Sequence, residues 1–142
     1  MKTFWLEIIT PEKVAFSGEV EMVSVPSVEG TLGILANHIP LVAKLTEGEL
    51  KIVKEGKEDF YSLGGGFLEV TPKKVMILVT KALNADEIDE KKILEAKAAA
   101  EEALRQKPKG EALISAQALL RSTLIDLKVK RRRKGVTYET KG

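Results

Sequence analysis

The sequence predicts an α+β protein: an N-terminal antiparallel β-sandwich followed by a C-terminal antiparallel helical hairpin. Two observations carry this. Up to about Asn84 the chain is a series of short apolar runs cut by Gly and Pro. Beyond it Ala, Leu, Lys and Glu recur at helical spacing, interrupted once by Pro108-Lys109-Gly110. Strand-length runs followed by helix-length runs indicate segregated β and α units in place of alternating βαβ. The expected organisation is a β body over 1–84, a two-helix hairpin over 85–134 and a flexible tail over 135–142.

Residues 4–10 read as the first strand, ended by Pro11, and 14–17 and 20–25 follow with Gly18 between them. Within 20–25, Val20 and Met22 share one phase while Val23 and Val25 share the other, which suggests a bulge. Residues 50–54, 60–63, 67–70 and 75–79 are further runs rich in β-branched and aromatic residues. Turn signals at Glu47-Gly48, Glu55-Gly56-Lys57, Gly64-Gly65-Gly66 and Thr71-Pro72-Lys73 separate them. Many short strands at this spacing point to a sandwich or barrel. Residues 75–79 are apolar in both phases, so this strand is expected to be covered on each face.

In the second half, Ile88, Ile93, Ala96, Ala100 and Leu104 form an apolar stripe on a helix expected over 86–107. Asp86 suits the N-cap, and the acidic first turn complements the helix dipole. A second helix over 111–132 carries Leu113, Ala116, Leu120, Leu124 and Leu127, broadened by Ile114, Ala118 and Ile125. The three-residue link makes the helices antiparallel neighbours. Alanine permits close approach but removes little apolar area from water, and isolated helices are marginal. The hairpin therefore needs a surface to lie on. With two such surfaces of similar free energy it becomes a two-state element.

Composition narrows the function classes. The 142 residues hold 23 basic and 21 acidic side chains, so net charge does not commit the chain to nucleic acid. There is no cysteine and a single histidine, which removes thiolate metal sites, thiol nucleophiles and a Ser-His-Asp arrangement with Ser115 or Ser122. Asp86, Glu87, Asp89 and Glu90 suit a helix first turn better than an acid/base pair. No catalytic site, metal or cofactor is expected. No apolar run of signal-peptide type opens the chain and none approaches the ~20 residues needed to cross a bilayer, so membrane association is expected only through a partner.

The most distinctive segment is Glu29-Gly30-Thr31-Leu32-Gly33-Ile34-Leu35-Ala36-Asn37-His38-Ile39-Pro40-Leu41, whose two glycines three apart suit tight turning. Together with Leu63-Gly64-Gly65-Gly66-Phe67-Leu68-Glu69-Val70 and Ala85-Asp86-Glu87-Ile88-Asp89-Glu90, it resembles the epsilon subunit of bacterial F-type ATP synthases over nearly the whole chain. The resemblance implies a non-catalytic subunit of the central stalk. Such a subunit couples gamma to the c-ring in proton-driven synthesis and restrains ATP hydrolysis through a mobile hairpin. It implies gamma and the c-ring as partners, with the alpha and beta subunits added when the hairpin extends. Its place would be peripheral, on the cytoplasmic face of the cell membrane.

Each candidate residue also has a plainer reading. His38 alone suits local turn stabilisation; the resemblance makes Glu29, Thr31 and His38 contacts to the c-ring. The Gly64-Gly65-Gly66 run lacks the following helix and Lys-Ser/Thr of a phosphate loop, so it reads as a turn. The cations Lys128, Lys130, Arg131, Arg132, Arg133 and Lys134 suit a solvated helix end. They equally suit docking onto an acidic surface, which the resemblance places on the catalytic subunits.

Some epsilon subunits bind ATP through an Ile/Leu-Asp-x-x-Arg-Ala motif and arginines of the second helix. Here the motif is degenerate: Ile88 and Asp89 stand, Lys92 replaces Arg and Ile93 replaces Ala. Ser122 and Asp126 fall where arginines are expected, beside Arg121. Lysine lacks the forked guanidinium contact, so weak or absent ATP binding follows. The alternative to the rotor reading is a nucleic-acid-binding module using the C-terminal basic segment. The near-neutral charge and few aromatic residues speak against it.

Overall fold

The computed structural model describes residues 2–135, with side chains through Arg132. Of the tail expected over 135–142, Gly135 belongs to the second helix of the hairpin, while 136–142 and the side chains of Arg133 and Lys134 lie outside the described residues. The chain divides into two compact units, Met1–Asn84 and Ala85–Gly142.

The first unit holds ten strands: β1 (Phe4–Ile9), β2 (Val14–Val20), β3 (Met22–Ser27), β4 (Gly30–Leu35), β5 (Leu41–Leu45), β6 (Gly48–Lys54), β7 (Lys57–Leu63), β8 (Gly66–Val70), β9 (Val75–Val79) and β10 (Ala82–Asn84). They form one folded-over sheet in the order β10-β7-β6-β3-β5-β8-β9-β1-β2, with β4 paired to β3. All pairings are antiparallel except β1 with β9. The layers join where Ser27 of β3 meets Leu45 of β5. Alternation sends Leu6, Ile8, Val23, Val25, Ile52, Leu68 and Ile77 into a common core, each at most 1% exposed. Burying a side chain of this kind is worth about 1.5–3 kcal/mol, so this core holds the unit together.

Three expectations for this half are corrected. The phase change near Val20 is no bulge: Glu21 breaks the chain between β2 and β3, and Glu21 N–H bonds to the Val53 carbonyl at 2.8 Å. The segment over 29–41, whose glycines were expected to turn, builds β4 and ends at Leu41, the first residue of β5. Gly30 does turn, at φ 114°, but Gly33 lies within β4, opposite Ser24, with no positive φ. Finally, β9 is covered on one face only, for Leu78 is 48% exposed. The strand buried in both phases is β7, from Phe60 to Leu63.

The run Gly64-Gly65-Gly66 is set by close approach. A Cβ on Gly66 would run into the Leu78 carbonyl oxygen and come within 2.7 Å of Val79 Cα, because β8 and β9 converge there. A Cβ on Gly64 would strike Thr80 Oγ1.

The second unit opens with a 3-10 turn (Ala85–Glu87), then α1 (Glu90–Arg105) and α2 (Glu111–Gly135). The cap of α1 is Asp89, not Asp86: its Oδ1 accepts from the Lys91 and Lys92 amides at 3.0 and 3.3 Å. Ile88 therefore lies ahead of the helix and is buried, only 4% exposed. The helix ends at Arg105, and Lys107 takes the left-handed conformation at φ 53°. On α2, Leu124 is 45% exposed, whereas Thr123 is 3% exposed. The stripe runs Leu113, Ala116, Leu120, Thr123, Leu127 at alternating spacings of three and four. Thr123 tolerates burial because its hydroxyl donates to the Leu120 carbonyl at 2.9 Å.

Candidate docking surfaces and the family

The most informative surface belongs to the first unit. On β1, β2, β8 and β9 the outward-facing residues include Glu7, Ser17, Glu19 and Glu69, but one row across the four strands is apolar throughout. Register aligns Phe67 with Leu78, Leu78 with Ile9, and Ile9 with Val14. At about 4.8 Å per strand, this row runs ~14 Å across the outer face of four strands. Phe67, Leu78 and Val14 are 55%, 48% and 59% exposed, and Val42 on the neighbouring β5 is 69% exposed. Single exposed apolar residues are ordinary; a contiguous row makes this face a candidate docking surface. Sequence reading passed over these residues as sites, although the two apolar phases of β9 were the available signal.

Beside this row, Trp5 Nε1 donates to Glu7 Oε2 at 3.1 Å, and Lys74 Nζ sits 3.2 Å from Glu7 Oε1. The Trp5 hydrogen bond and then the Lys74 ammonium hold the Glu7 carboxyl below the usual carboxylate range.

His38 lines an open recess of about 540 Å³ together with Trp5, Glu19, Lys73 and Lys74. Its amide donates to the Leu35 carbonyl at 3.2 Å, and Nδ1 lies 2.7 Å from the Ile39 carbonyl. A carbonyl only accepts, so Nδ1 is the donor in that contact. Asn37, at φ 66°, makes the turn that presents the ring. Glu29 and Thr31 occupy the other end of β4 and line a separate recess with Leu41 and Lys44. Four residues of strand, about 13 Å, separate Thr31 from Leu35. The structure thus sets the three candidates in two recesses. Ser27 shapes the second one: Oγ donates to the Gly30 carbonyl at 2.6 Å and accepts from the Glu29 amide at 3.1 Å.

Residues 3–85 match the family described as ATP synthase, Delta/Epsilon chain, beta-sandwich domain. The chain belongs to the ATP synthase epsilon family. It is 46% identical to the ATP synthase epsilon chain of Herpetosiphon aurantiacus, over 91% of this chain and 95% of that one. It is 41% identical to that of Chloroflexus aggregans over 87% and 89%. Among solved structures, a chain of the Euglena gracilis mitochondrial ATP synthase, OSCP/F1/c-ring, superposes with a TM-score of 0.67. That match is 26% identical and covers 94% of this chain and 80% of that one. A chain from the Tetrahymena thermophila central stalk and c-ring shares the fold at a TM-score of 0.57 and 16% identity, over 91% and 97%.

The degenerate nucleotide motif of this epsilon chain has structural work of its own. Ile88 is buried and Asp89 is spent on capping α1. Lys92 is exposed in the first turn of α1. Arg121 lies ten residues, about 15 Å of helix, before Arg131, and Arg131 is the residue that reaches the α1 N-terminus. Arg121 is thus not placed beside Lys92. Asp126, which stands where the resemblance implies an arginine, is 4% exposed.

The basic segment is partly engaged within the hairpin. Lys130 Nζ donates to the Ala85 carbonyl at 3.2 Å, and Arg131 pairs with Glu90 at 3.5 Å. Lys128 and Arg132 are exposed. Among the described residues no cluster of three metal-ligating side chains occurs, and no helix is long and apolar enough to cross a membrane.

Proposed function

We propose that this epsilon chain is a non-catalytic rotor subunit. Its β unit joins gamma to the c-ring in ion-driven ATP synthesis, and its hairpin restrains ATP hydrolysis. The observation that carries the coupling role is the apolar row Phe67–Leu78–Ile9–Val14, which we assign to gamma. A rotor joint transmits torque, and a wide apolar face on a rigid sheet resists shear better than isolated surface charges do. The two recesses holding Glu29, Thr31 and His38 are assigned to the polar rim of the c-ring. The presence of F1 and c-ring in the Euglena assembly supports that setting.

The regulatory role draws support from the second unit. The α1 side of the seam is alanine-rich, with Ala100 its one buried residue, so α1 removes little apolar area from water against α2. Such a hairpin is able to leave one surface for another. Its cations would meet acidic loops of the alpha and beta subunits in the extended state. ATP binding is expected to be weak or absent. Association with the membrane then comes through the complex alone, at its cytoplasmic face.

The test is deletion from Ala85 onward in a reconstituted complex. The shortened chain should still bind gamma and support coupled synthesis while ATP hydrolysis rises. Unchanged inhibition would refute the regulatory role, and loss of gamma binding by a folded β unit would refute the coupling role.

A further inference from the structure

Lys97 pairs with Glu101 and Arg105 with Glu102 within α1, whereas the contacts that join α2 to the start of the unit lie at the open end of the hairpin. Residues 106–110 close the hairpin at one end. At the other, Lys130 donates to the Ala85 carbonyl at 3.2 Å, and Arg131 reaches Glu90, the first residue of α1, at 3.5 Å. Glu90 is no ordinary surface carboxylate. Its Oε1 is closed off from solvent, and its side chain is 28% exposed. It also sits at the positive end of the α1 dipole, where negative charge is favoured.

We propose that Lys130 and Arg131, with Ala85 and Glu90, form a charge latch that ties the open end of the hairpin. The same two cations belong to the segment assigned to an acidic partner surface, so the two engagements exclude each other. An acidic surface opens the hairpin by taking over cations that Glu90 and the Ala85 carbonyl had held. This makes opening partner-driven and weakened by salt, since screening acts on both pairings. The latch is a property of the isolated chain. Only its release by a partner rests on the regulatory reading above.

Amide hydrogen exchange on the full chain tests it. Glu90→Gln and Lys130→Met should each speed exchange over residues 124–132 by about 1.5- to five-fold, the scale of a half-exposed charge contact. Residues near the closed end, 100–116, should keep their rates. Glu102→Gln, which removes a pairing with Arg105 inside α1, should leave the rates over residues 124–132 unchanged. Reversing the pair, Glu90→Arg with Arg131→Glu, should recover part of the protection that Glu90→Arg alone removes, since arginine is disfavoured at the positive end of α1. The latch is overturned if Glu90→Gln and Lys130→Met leave residues 124–132 unchanged, or if exchange rises equally along both helices. Given faster exchange in the isolated variants, unaltered ATP hydrolysis in the assembled enzyme would count against the regulatory reading and leave the latch standing.

Discussion

Phe67 and Leu78 stand directly opposite one another on β8 and β9, both about half exposed on the side away from the core. A cross-strand pair of this kind normally has one polar member on a solvated face. Here both are apolar, and Ile9 and Val14 extend them across two further strands.

Replacing either member by glutamate sets a charge in the middle of the assigned gamma interface. Leu78→Glu and Phe67→Glu should weaken gamma binding by tenfold or more, about 1.4 kcal/mol or above. The melting temperature of the free chain should hardly move, since surface changes usually stay within about 0.5 kcal/mol. Calorimetric titration with gamma measures the first and thermal unfolding the second.

Gly66 and Gly33 offer a matched contrast. Gly66→Ala forces a methyl group against the Leu78 carbonyl and should cost about 1–3 kcal/mol, the range for overpacking. Gly33→Ala meets nothing within 4 Å and has no positive φ, so its stability should be unchanged or slightly raised. Denaturant unfolding of both variants decides the point.

Trp5, the single tryptophan, reports on Glu7 through their hydrogen bond. The folded-state pKa of Glu7 is depressed, so the stability it adds is present above the unfolded glutamate pKa and is lost as pH falls through the folded value. Tryptophan fluorescence should therefore titrate with a midpoint below that of an ordinary glutamate. Glu7→Gln should abolish the transition, and Lys74→Met should raise its midpoint.

Two changes at the ends of α1 should act in opposite directions. Asp89→Ala removes the cap to the Lys91 and Lys92 amides and should cost roughly 0.5–2 kcal/mol. Lys107→Gly relieves a left-handed backbone at φ 53° and should stabilise by about 1 kcal/mol. Helical ellipticity followed on heating reads both.

Periodicity, turn residues and composition were enough to find the division near Asn84, seven of the ten strands in outline and both helices, because each rests on local chemistry. The sequence by itself also determined the family, through a glycine-bearing segment and the glycine run before Phe67. Tertiary structure decided what local rules cannot reach. Gly33 became strand because β3 lay alongside to pair with it, against its intrinsic preference for turns. Asp89 rather than Asp86 capped α1 because Ala85–Glu87 were drawn into a separate turn. Thr123 displaced Leu124 from the buried stripe because a three-four spacing ran through the hydroxyl. The apolar second phase of β9 was visible in the sequence, yet whether that face lay covered or open depended on strand order. Only register across four strands, which no single segment encodes, could gather Phe67, Leu78, Ile9 and Val14 into one surface.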